Sequence, residues 1–490
     1  MTLKFLHTPL SRLMEAPDAT SFPSKGYPCT MTPNRPILSL SFLFLLALGL
    51  SAQDTFTVGN TTLYATDLVE DSQIPWEILW GGDDMLWCSE RKGRVIRIDP
   101  ATGEYTTVLD LNVTFNGNGE PGLLGMVQHP DFPEDPRVWV VYCDGQFSVS
   151  EHLSVFEWNG TELVNEEELL TLPGAQIHNG SRLLWLPDNT MLMTTGDAGE
   201  TAFSQDLESL NGKILRINPD GSIPEDNPFG PDSYVYTWGN RNAQGLCIGP
   251  NGLIYASEHG QNQDDEFNLV EAGRNYGWPT VQGACNAPSE FTFCEDWNVM
   301  EPLLAWTPCI ALNGLEYYTH EAIPEFQGKI LMGVMSGFND PLPGRVIAIE
   351  LSEDGQAAES QEAFFGSFNQ RIRDIAVNPY TGGFYLAFNG QSYPGSPPNI
   401  IKEFSTSNPA SVPTPVVRPV LLRPIPASGS VEISVTEGAI GGPLAIRDMT
   451  GRLIFEGQVE GSLFELSLEG WAPGRYIVWT AVGSADLLVR

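Results

Sequence analysis

The segment NGLIYASEHG (251–260) decides the fold, because turn residues lead directly into a short strand of largely apolar side chains. The same arrangement recurs in five further segments: DDMLWCSE (83–90), PRVWVVYCD (136–144, a looser match), DNTMLMTTGD (188–197), QGKILMGV (327–334) and TGGFYLAF (381–388). The equivalent positions are Met85, Val138, Met191, Leu253, Lys329 and Phe384, at intervals of 53, 53, 62, 76 and 55 residues. Six strand-rich units without helical periodicity predict an all-β chain that contains a six-bladed β-propeller. A two-sheet sandwich would explain the strands but not their recurrence.

The sequence also predicts where the propeller ends and which segments follow it. The propeller is assigned to residues 54–404, and the six prolines between 409 and 426 predict a stiff linker over 405–426. Residues 427–490 contain short strands separated by glycine-containing turns, and they include no His and no Cys. We therefore expect a small C-terminal β-sandwich that takes no part in catalysis.

The N-terminal residues 1–53 have the layout of a secretory signal peptide. An apolar run of 14 residues, Ile37–Leu50, follows Arg35 and precedes the small residues Ser51 and Ala52. Such a run is short for a membrane-spanning helix, so we expect export without stable membrane insertion. The part that precedes the run is long for a signal peptide, and Met31 is an alternative start.

The net charge restricts the possible binding partners, and the cysteine count indicates whether disulfides can form. The chain has 61 acidic and 25 basic residues, a net charge of −36, which repels nucleic-acid phosphates and suits a neutral substrate or divalent cations. Without residues 1–53 six cysteines are left, and an even count in an exported chain permits disulfides. Cys285 and Cys294, nine residues apart in a loop-like stretch, are the best candidate pair. For the other four, buried free thiols remain an equal alternative.

Two histidines lie in loops beside other polar groups. His178, in AQIHNGSRLLW (175–185), stands at the head of a strand, where it could act as a general base or simply bond to loop backbone. His259 opens a stretch in which Asp264, Asp265 and Glu266 supply hard oxygen ligands. This mixture suits Ca²⁺ better than Zn²⁺, although an acidic solvated turn is the alternative interpretation.

Two loops carry arginines that could bind an anion. Arg241 and Asn242 lie between glycines in TWGNRNAQGL (237–246), and RIRD (371–374) places Arg371 and Arg373 on the same side of an extended segment. In so acidic a chain these arginines suggest an anionic ligand, with salt bridges as the alternative. The glycine-rich loop that holds Glu120 lacks the spacing of a nucleotide-binding motif.

Taken in order, these segments resemble the PQQ-dependent sugar dehydrogenases of the glucose/sorbosone dehydrogenase family. The resemblance spans roughly 60–404 and rests on GEPGLLGMVQHPDF, IHNGSRL, TTGDAG, NGKILRI, GNRNAQGL, SEHGQNQDDEFNL, GRNYGWP and RIRD. Glu120 and His259 make the chain more similar to the aldose sugar dehydrogenase branch than to the glucose dehydrogenases, which have Gln at both positions. The resemblance implies oxidation of aldose sugars at C1 to lactones, with PQQ and Ca²⁺ as cofactors and a soluble electron acceptor.

The resemblance also implies roles for individual residues. His178 corresponds to the base that takes the proton of the sugar C1 hydroxyl, and Arg241, with Asn242, to the catalytic pair that contacts the quinone oxygens. The remaining cofactor-contacting positions correspond to Glu120, His259, Arg371 and Arg373. The backbone carbonyls of Gly260 and Gln261 would hold the calcium ion beside the cofactor. A second calcium site corresponds to Asp265, Glu266 and Tyr276.

Two positions depart from the family pattern. A lysine that contacts the cofactor in the glucose enzyme has no clear counterpart, and only Ser336 or Arg345 lies nearby. A threonine of the cofactor site is replaced by Cys309. Both departures affect the expected affinity for the cofactor more than the expected fold.

The C-terminal segment 427–490 has a resemblance of its own. DMTGRLIFEG (448–457) and GRYIVW (474–479) are similar to the sorting domains of type IX secretion, although the usual opening YPNP is absent. This implies the type IX machinery as a partner and passage through the periplasm, followed by secretion or attachment to the cell surface.

Two other functions stay open at this point. A non-catalytic propeller that binds carbohydrate or protein would have no need for a base and an anion clamp together. A calcium-dependent sugar lactonase, which also uses a six-bladed propeller, would need convergent acidic metal ligands in the central channel.

Overall fold

The computed structural model describes residues 54–408 apart from 116, 118, 146 and 147, and residues 420–489 apart from 424–428, 436–439, 449–451, 460, 473, 481 and 482. The expected signal peptide, 1–53, and most of the proline-rich stretch lie outside these residues. The described part is almost entirely β-structure, with one short α-helix, α1 (Phe291–Trp297), and 3₁₀ turns at Thr201–Gln205, Pro250–Gly252 and Gly366–Phe368. Within it, no helix has the length and apolar character needed to cross a membrane.

Six antiparallel sheets follow one another from the first described residue to Ser405. The first strands of the described residues are β1 (Asp54–Val58) and β2 (Thr61–Val69). Two four-stranded sheets follow, made of β3 (Pro75–Trp80), β4 (Leu86–Glu90), β5 (Arg94–Ile98) and β6 (Tyr105–Asp110), and of β7 (Leu123–Gln128), β8 (Arg137–Asp144), β9 (Ser150–Trp158) and β10 (Leu163–Pro173). The next contains β11 (Leu183–Trp185), β12 (Met191–Thr195), β13 (Lys213–Ile217) and β14 (Val235–Trp238).

The remaining sheets complete the ring. They contain β15 (Ala243–Ile248), β16 (Ile254–Glu258), β17 (Asp265–Val270) and β18 (Leu304–Trp306), then β19 (Leu312–Tyr318), β20 (Lys329–Val334), β21 (Arg345–Leu351) and β22 (Ala358–Phe364), and finally β23 (Ile372–Val377), β24 (Phe384–Asn389) and β25 (Asn399–Ser405). The N-terminal β2 pairs with β25 and so completes the last sheet. The first strands of successive sheets contact one another in order, and β23 contacts β3. The prediction of a six-bladed propeller is confirmed.

The sequence repeat marks one structural position in every blade. Met85 and Leu253 immediately precede β4 and β16, and the other four repeat positions lie in β8, β12, β20 and β24. Each of these is the second strand of its blade, counted from the first. These strands are largely buried because neighbouring blades pack against both of their faces; Trp87, for example, belongs to a cluster with Val138 and Val140 of the next blade.

Three β-bulges lie in the first strands of their blades. The pairing of β3 with β4, of β15 with β16 and of β23 with β24 each shifts by one residue, at Trp76, Gln244 and Arg373 respectively. A bulge inserts one extra residue and redirects its side chain. All three residues line the cavity described below.

The C-terminal strands form two small sheets. They are β26 (Val420–Arg423), β27 (Ser430–Val435) and β30 (Leu463–Ser467) in one sheet, and β28 (Pro443–Asp448), β29 (Leu453–Gln458), β31 (Gly474–Thr480) and β32 (Gly483–Val489) in the other. Buried residues of both sheets share one cluster that includes Ile433, Ile446 and Val478. Strand β26 falls within the predicted linker 405–426. Its residues pair with β27, so this part of the predicted linker belongs to a sheet.

The expected pairing of Cys285 with Cys294 is confirmed by a disulfide, with the two Cα atoms 6.4 Å apart. The bridge encloses part of α1 in a loop between β17 and β18. The other four cysteines of the described chain are free thiols, and three of them are buried; Cys309 is partly exposed.

Candidate active site

One large cavity brings together most of the residues singled out in the sequence. Its volume is about 860 Å³, and loops from several blades contribute to its wall. The predicted residues that line it are Glu120, His178, Arg241, Asn242, His259, Gly260, Gln261, Asp265, Arg371 and Arg373. Two predicted residues, Glu266 and Tyr276, line a separate small cavity instead. The loops that carry the sequence motifs therefore meet at one place.

His178 is held between a carboxylate and a guanidinium. Its Nδ1 lies 2.6 Å from Oδ1 of Asp197, and its Nε2 lies 3.1 Å from Nη2 of Arg241. Because a guanidinium can only donate, Nε2 is the unprotonated nitrogen, and Nδ1 carries the proton that it donates to Asp197. We call Asp197, His178 and Arg241 the base triad. Nε2 is thus a proton-accepting nitrogen at the cavity, and Arg241 is its present donor.

The backbone around His178 is fixed by its neighbours. His178 adopts a left-handed conformation, with φ 58°, and its N–H donates to Oε2 of Glu120 at 2.7 Å. A side chain at Gly196 would collide with the carbonyl of His178, since a Cβ there would lie 1.9 Å from that oxygen. Asn242 accepts a hydrogen bond from the N–H of Gly180 at 3.0 Å. The imidazole is thus positioned by a loop whose backbone is itself held in place.

Asp197 and Arg241 are joined by a shared tryptophan. Nε1 of Trp278 donates to Oδ2 of Asp197 at 2.9 Å, and the guanidinium of Arg241 lies 5.2 Å from the centroid of a Trp278 ring. Burial alone would raise the pKa of Asp197. The hydrogen bond from His178, together with those from Gly199 and Trp278, outweighs burial and holds this pKa below its usual value.

Arg371 and Arg373, which we call the arginine pair, have no carboxylate partner among the described residues. Nη2 of Arg373 donates to Oε1 of Gln244 at 2.8 Å, and Nη2 of Arg371 contacts the sulfur of Met335 at 3.4 Å. Both Nε atoms are buried without a hydrogen-bond partner. Burial lowers the pKa of Arg371 to about 10 and holds that of Arg373 well below its usual value. Such donors fit an anionic ligand.

Trp76 and Gln244 connect this arginine pair to the rest of the site. The guanidinium carbons of Arg373 and Arg182 lie 4.3 and 4.5 Å from the centroid of a Trp76 ring. Gln244 accepts from Arg373 and donates to Oδ1 of Asn242 at 3.0 Å. Since Asn242 also holds Gly180, a chain of hydrogen bonds runs from the arginine pair to the loop of His178.

A small cavity of about 10 Å³ shares part of its wall with the large one. Glu258 and Glu266 occupy paired positions on β16 and β17, and both line this cavity together with Tyr276. Burial, followed by the charge of Glu258, raises the pKa of Glu266 to about 8, and burial also raises the pKa of Glu258. Two buried carboxylates of this kind would be stabilised by a cation.

The predicted metal ligands are therefore divided between two places. Gly260, Gln261 and Asp265 line the large cavity, where Oδ1 of Asp265 accepts from the N–H of Gly260 at 2.7 Å and Oδ2 accepts from Ile310 and Ala311. In the described chain, no three His, Cys, Asp or Glu side chains converge as a metal-binding group. A metal ion here would need backbone carbonyls among its ligands, and Ca²⁺ accepts such ligands.

The positions that depart from the family pattern differ in what they contribute. Ser336 and Cys309 line the cavity, and burial raises the pKa of the Cys309 thiol. Arg345 is buried and pairs with Asp340 at 2.8 Å. It therefore cannot replace the absent lysine as a free cation.

Comparison with known proteins identifies the family. The family model described as glucose/sorbosone dehydrogenase matches residues 72–393, a range that includes strands of all six blades. The chain belongs to this family. This glucose/sorbosone dehydrogenase family member is 36% identical over 245 residues to quinoprotein glucose dehydrogenase B of Acinetobacter calcoaceticus, covering 43% of this chain and about half (51%) of that enzyme. It is 28% identical over 283 residues to the aldose sugar dehydrogenase of Escherichia coli, covering 54% of this chain and 73% of the relative.

A solved structure supports the same family. The PQQ-bound form of aldose sugar dehydrogenase from Streptomyces coelicolor superimposes with a TM-score of 0.59 and 28% identity, covering 70% of this chain and 98% of the other. Homologues of this family member thus include PQQ-dependent sugar dehydrogenases.

Several residues of the site were not found from the sequence. They are Trp76, Asp197, Glu258 and Trp278. Asp197 lies in TTGDAG, which pointed to the family but not to a role for this residue. Glu258 could have been found, because it and Glu266 flank one turn between paired strands.

Proposed function

We propose that this protein is a PQQ- and calcium-dependent dehydrogenase that oxidises aldose sugars at C1 to lactones. The observation that carries the proposal is the meeting, in one cavity, of a histidine with an unprotonated nitrogen and two arginines without carboxylate partners among the described residues. The first group suits removal of a hydroxyl proton, and the second suits an anionic cofactor. The PQQ-bound homologue supports PQQ as that cofactor.

The base triad supports proton removal. Nε2 of His178 is the acceptor for the proton of the sugar C1 hydroxyl, and Asp197 stabilises the imidazolium that results. Arg241 must share or release its contact with Nε2 when the hydroxyl arrives. The same guanidinium can then stabilise negative charge near the reacting atoms.

The arginine pair supports the cofactor. PQQ carries three carboxylates, and its quinone would supply the acceptor for the hydride of the sugar. Arg371 and Arg373 offer buried donors that suit these carboxylates, and Trp76 and Gln244 keep Arg373 in place. Catalytic geometry then depends on a scaffold that is already hydrogen-bonded.

Calcium is part of the proposal on the basis of two features. Gly260 and Gln261 line the large cavity beside Arg241 of the base triad, and Glu258 and Glu266 line the small cavity. One ion at each place would supply positive charge, the first beside the cofactor and the second between the two carboxylates.

The two alternative functions are less well supported. A lactonase would need an acidic metal-binding group in the central channel, and the described residues contain no such group. A purely binding propeller leaves the hydrogen-bonded order of Asp197, His178 and Arg241 without a use.

Export and electron transfer complete the proposal. The apolar run before residue 54 and the likeness of residues 427–490 to sorting domains support type IX secretion through the periplasm. Electrons from the sugar would leave the site for a soluble acceptor outside the cell.

The proposal is tested with the full chain purified from a host that makes no PQQ. Reduction of an electron-accepting dye is followed with a panel of aldoses, with and without PQQ and Ca²⁺. We expect turnover only when both are present, and its loss in EDTA. Binding of PQQ without turnover with any aldose would contradict the assigned substrate, and absence of PQQ binding would contradict the proposed function itself.

A further inference from the structure

A fourth arginine, besides Arg241, Arg371 and Arg373, lines the large cavity and lies outside the motifs used so far. Arg91 directly follows β4 in the first blade, and it is only 6% exposed. It lines the same cavity as Arg371 and Arg373. The family resemblance assigned no role to this residue.

Arg91 keeps free donors after all its contacts with loop backbone. Its Nη1 donates to the carbonyl of Pro394 at 3.1 Å, and its Nη2 donates to the carbonyls of Gly119 and Pro121. A guanidinium has five N–H groups, so Nε–H and one Nη1–H are left. Nε is buried and has no hydrogen-bond partner.

The positive charge of Arg91 is also unpaired, in contrast to that of nearby arginines. Within the described residues it forms no salt bridge, whereas Arg94 pairs with Glu90 and Arg97 with Asp83 on the same blade. Arg182, which is also buried, has Glu77 and Asp374 as partners. An unpaired buried charge is costly, so an anionic ligand would stabilise this arginine.

Arg91 lies close enough to Arg371 and Arg373 for its charge to act on both. Burial lowers the pKa of Arg91. The charge of Arg91 contributes, after burial, to the lowered pKa of both Arg371 and Arg373. The carboxylate that acts on all three is that of Glu120, so positive charge is in excess. A ligand with a single negative charge would leave part of this excess.

We propose that Arg91 is a further cofactor-binding residue that contacts a carboxylate of PQQ, together with Arg371 and Arg373. The inference rests on the proposed function. Arg91 then provides the positive charge that the absent lysine would have supplied. Neither Ser336 nor Arg345 supplies it, since serine is uncharged and Arg345 is paired with Asp340.

The test compares PQQ affinity in three variants of the full chain. Arg91→Gln removes the charge, Arg91→Lys keeps it, and Arg97→Gln is the control, an arginine of the same blade that is paired with Asp83. The dissociation constant is measured by quenching of tryptophan fluorescence in calcium-containing buffer. We expect a rise of at least about tenfold for Arg91→Gln, a smaller rise for Arg91→Lys and no more than about a twofold change for the control.

Each outcome decides the inference. Folded Arg91→Gln protein with unchanged affinity would overturn it, and so would equal losses in Arg91→Gln and Arg91→Lys, which would indicate loop anchoring alone. If Arg91→Gln does not fold, a crystal structure of the wild-type complex decides: a PQQ carboxylate within about 3.5 Å of Arg91 is expected, and a separation above about 5 Å overturns the assignment. Wild-type protein that binds no PQQ would overturn the proposed function as well.

Discussion

The two ends of the cavity differ in how far the protein itself completes them. At the base triad every polar group of the imidazole has a partner, because Asp197 and Arg241 bind its two nitrogens. At the arginine pair, no carboxylate of the described chain pairs with either guanidinium, and both Nε atoms, like that of Arg241, are buried without a partner. The imidazole is positioned before any ligand binds, whereas an anion would give the arginine pair the partner that it lacks. Chemistry and anchoring are thus separable functions of one site.

The largest expected effect comes from breaking the base triad. His178→Ala removes the proton acceptor, so we expect kcat to fall by about 10²–10⁴-fold while the affinity for PQQ stays within a few-fold. Steady-state kinetics and a PQQ titration measure the two quantities. Turnover within a few-fold of wild type would show that another group is the base.

The converse experiment removes the arginine pair. Arg371→Ala combined with Arg373→Ala deletes two charge-assisted contacts, so we expect the PQQ dissociation constant to rise by about 100-fold or more. Arg274→Ala, which removes an arginine paired with Glu271, is the control. An unchanged dissociation constant in the titration would refute the role of the arginine pair in binding PQQ.

A smaller effect is expected from the residue that orients His178. Asp197→Asn keeps the shape but loses the carboxylate that stabilises the imidazolium, so kcat should fall by about 10–100-fold. The affinity for PQQ should be unchanged, which distinguishes positioning from a general loss of structure. Asp206→Asn, at an exposed position nine residues further along the chain, is the control. A matched loss of PQQ affinity would argue against this role.

The smallest effect concerns the pH dependence of the free energy of unfolding, through the buried Glu151. Ser181 donates to the buried Glu151 at 2.7 Å, and burial raises the pKa of Glu151 to about 8. Because the folded state keeps this proton and the unfolded state releases it, stability should fall as pH rises from about 4.5 to about 8. Glu151→Gln should weaken this fall, as seen in Tm measured at about pH 5 and about pH 8. An unchanged pH dependence would contradict a neutral Glu151.

The sequence predicted the blades better than the contacts within the site. Turn residues and apolar alternation recur locally, so positions such as Met191 and Phe384 locate the second strand of every blade. Asp197 and His178 come from different loops, and Trp278 belongs to another blade. Their contact depends on the packing of loops from two neighbouring blades, which no local pattern encodes.

The cavity arginines also differ in whether the sequence could predict them. Arg371 and Arg373 were found because they alternate within one short segment. Arg91 lies far away in sequence, and its neighbours gave no signal of a ligand. Only the cavity shows that all three share one space.

The most direct test of this division between the two ends is a single-turnover experiment without oxygen. Wild-type protein and His178→Ala, each loaded with PQQ and Ca²⁺, are mixed with an aldose while the absorbance of the bound cofactor is followed. We predict that wild-type protein reduces one equivalent of PQQ, whereas His178→Ala binds PQQ equally well and leaves it oxidised. Reduction at similar rates in both proteins, or loss of PQQ binding in the variant, would contradict the account.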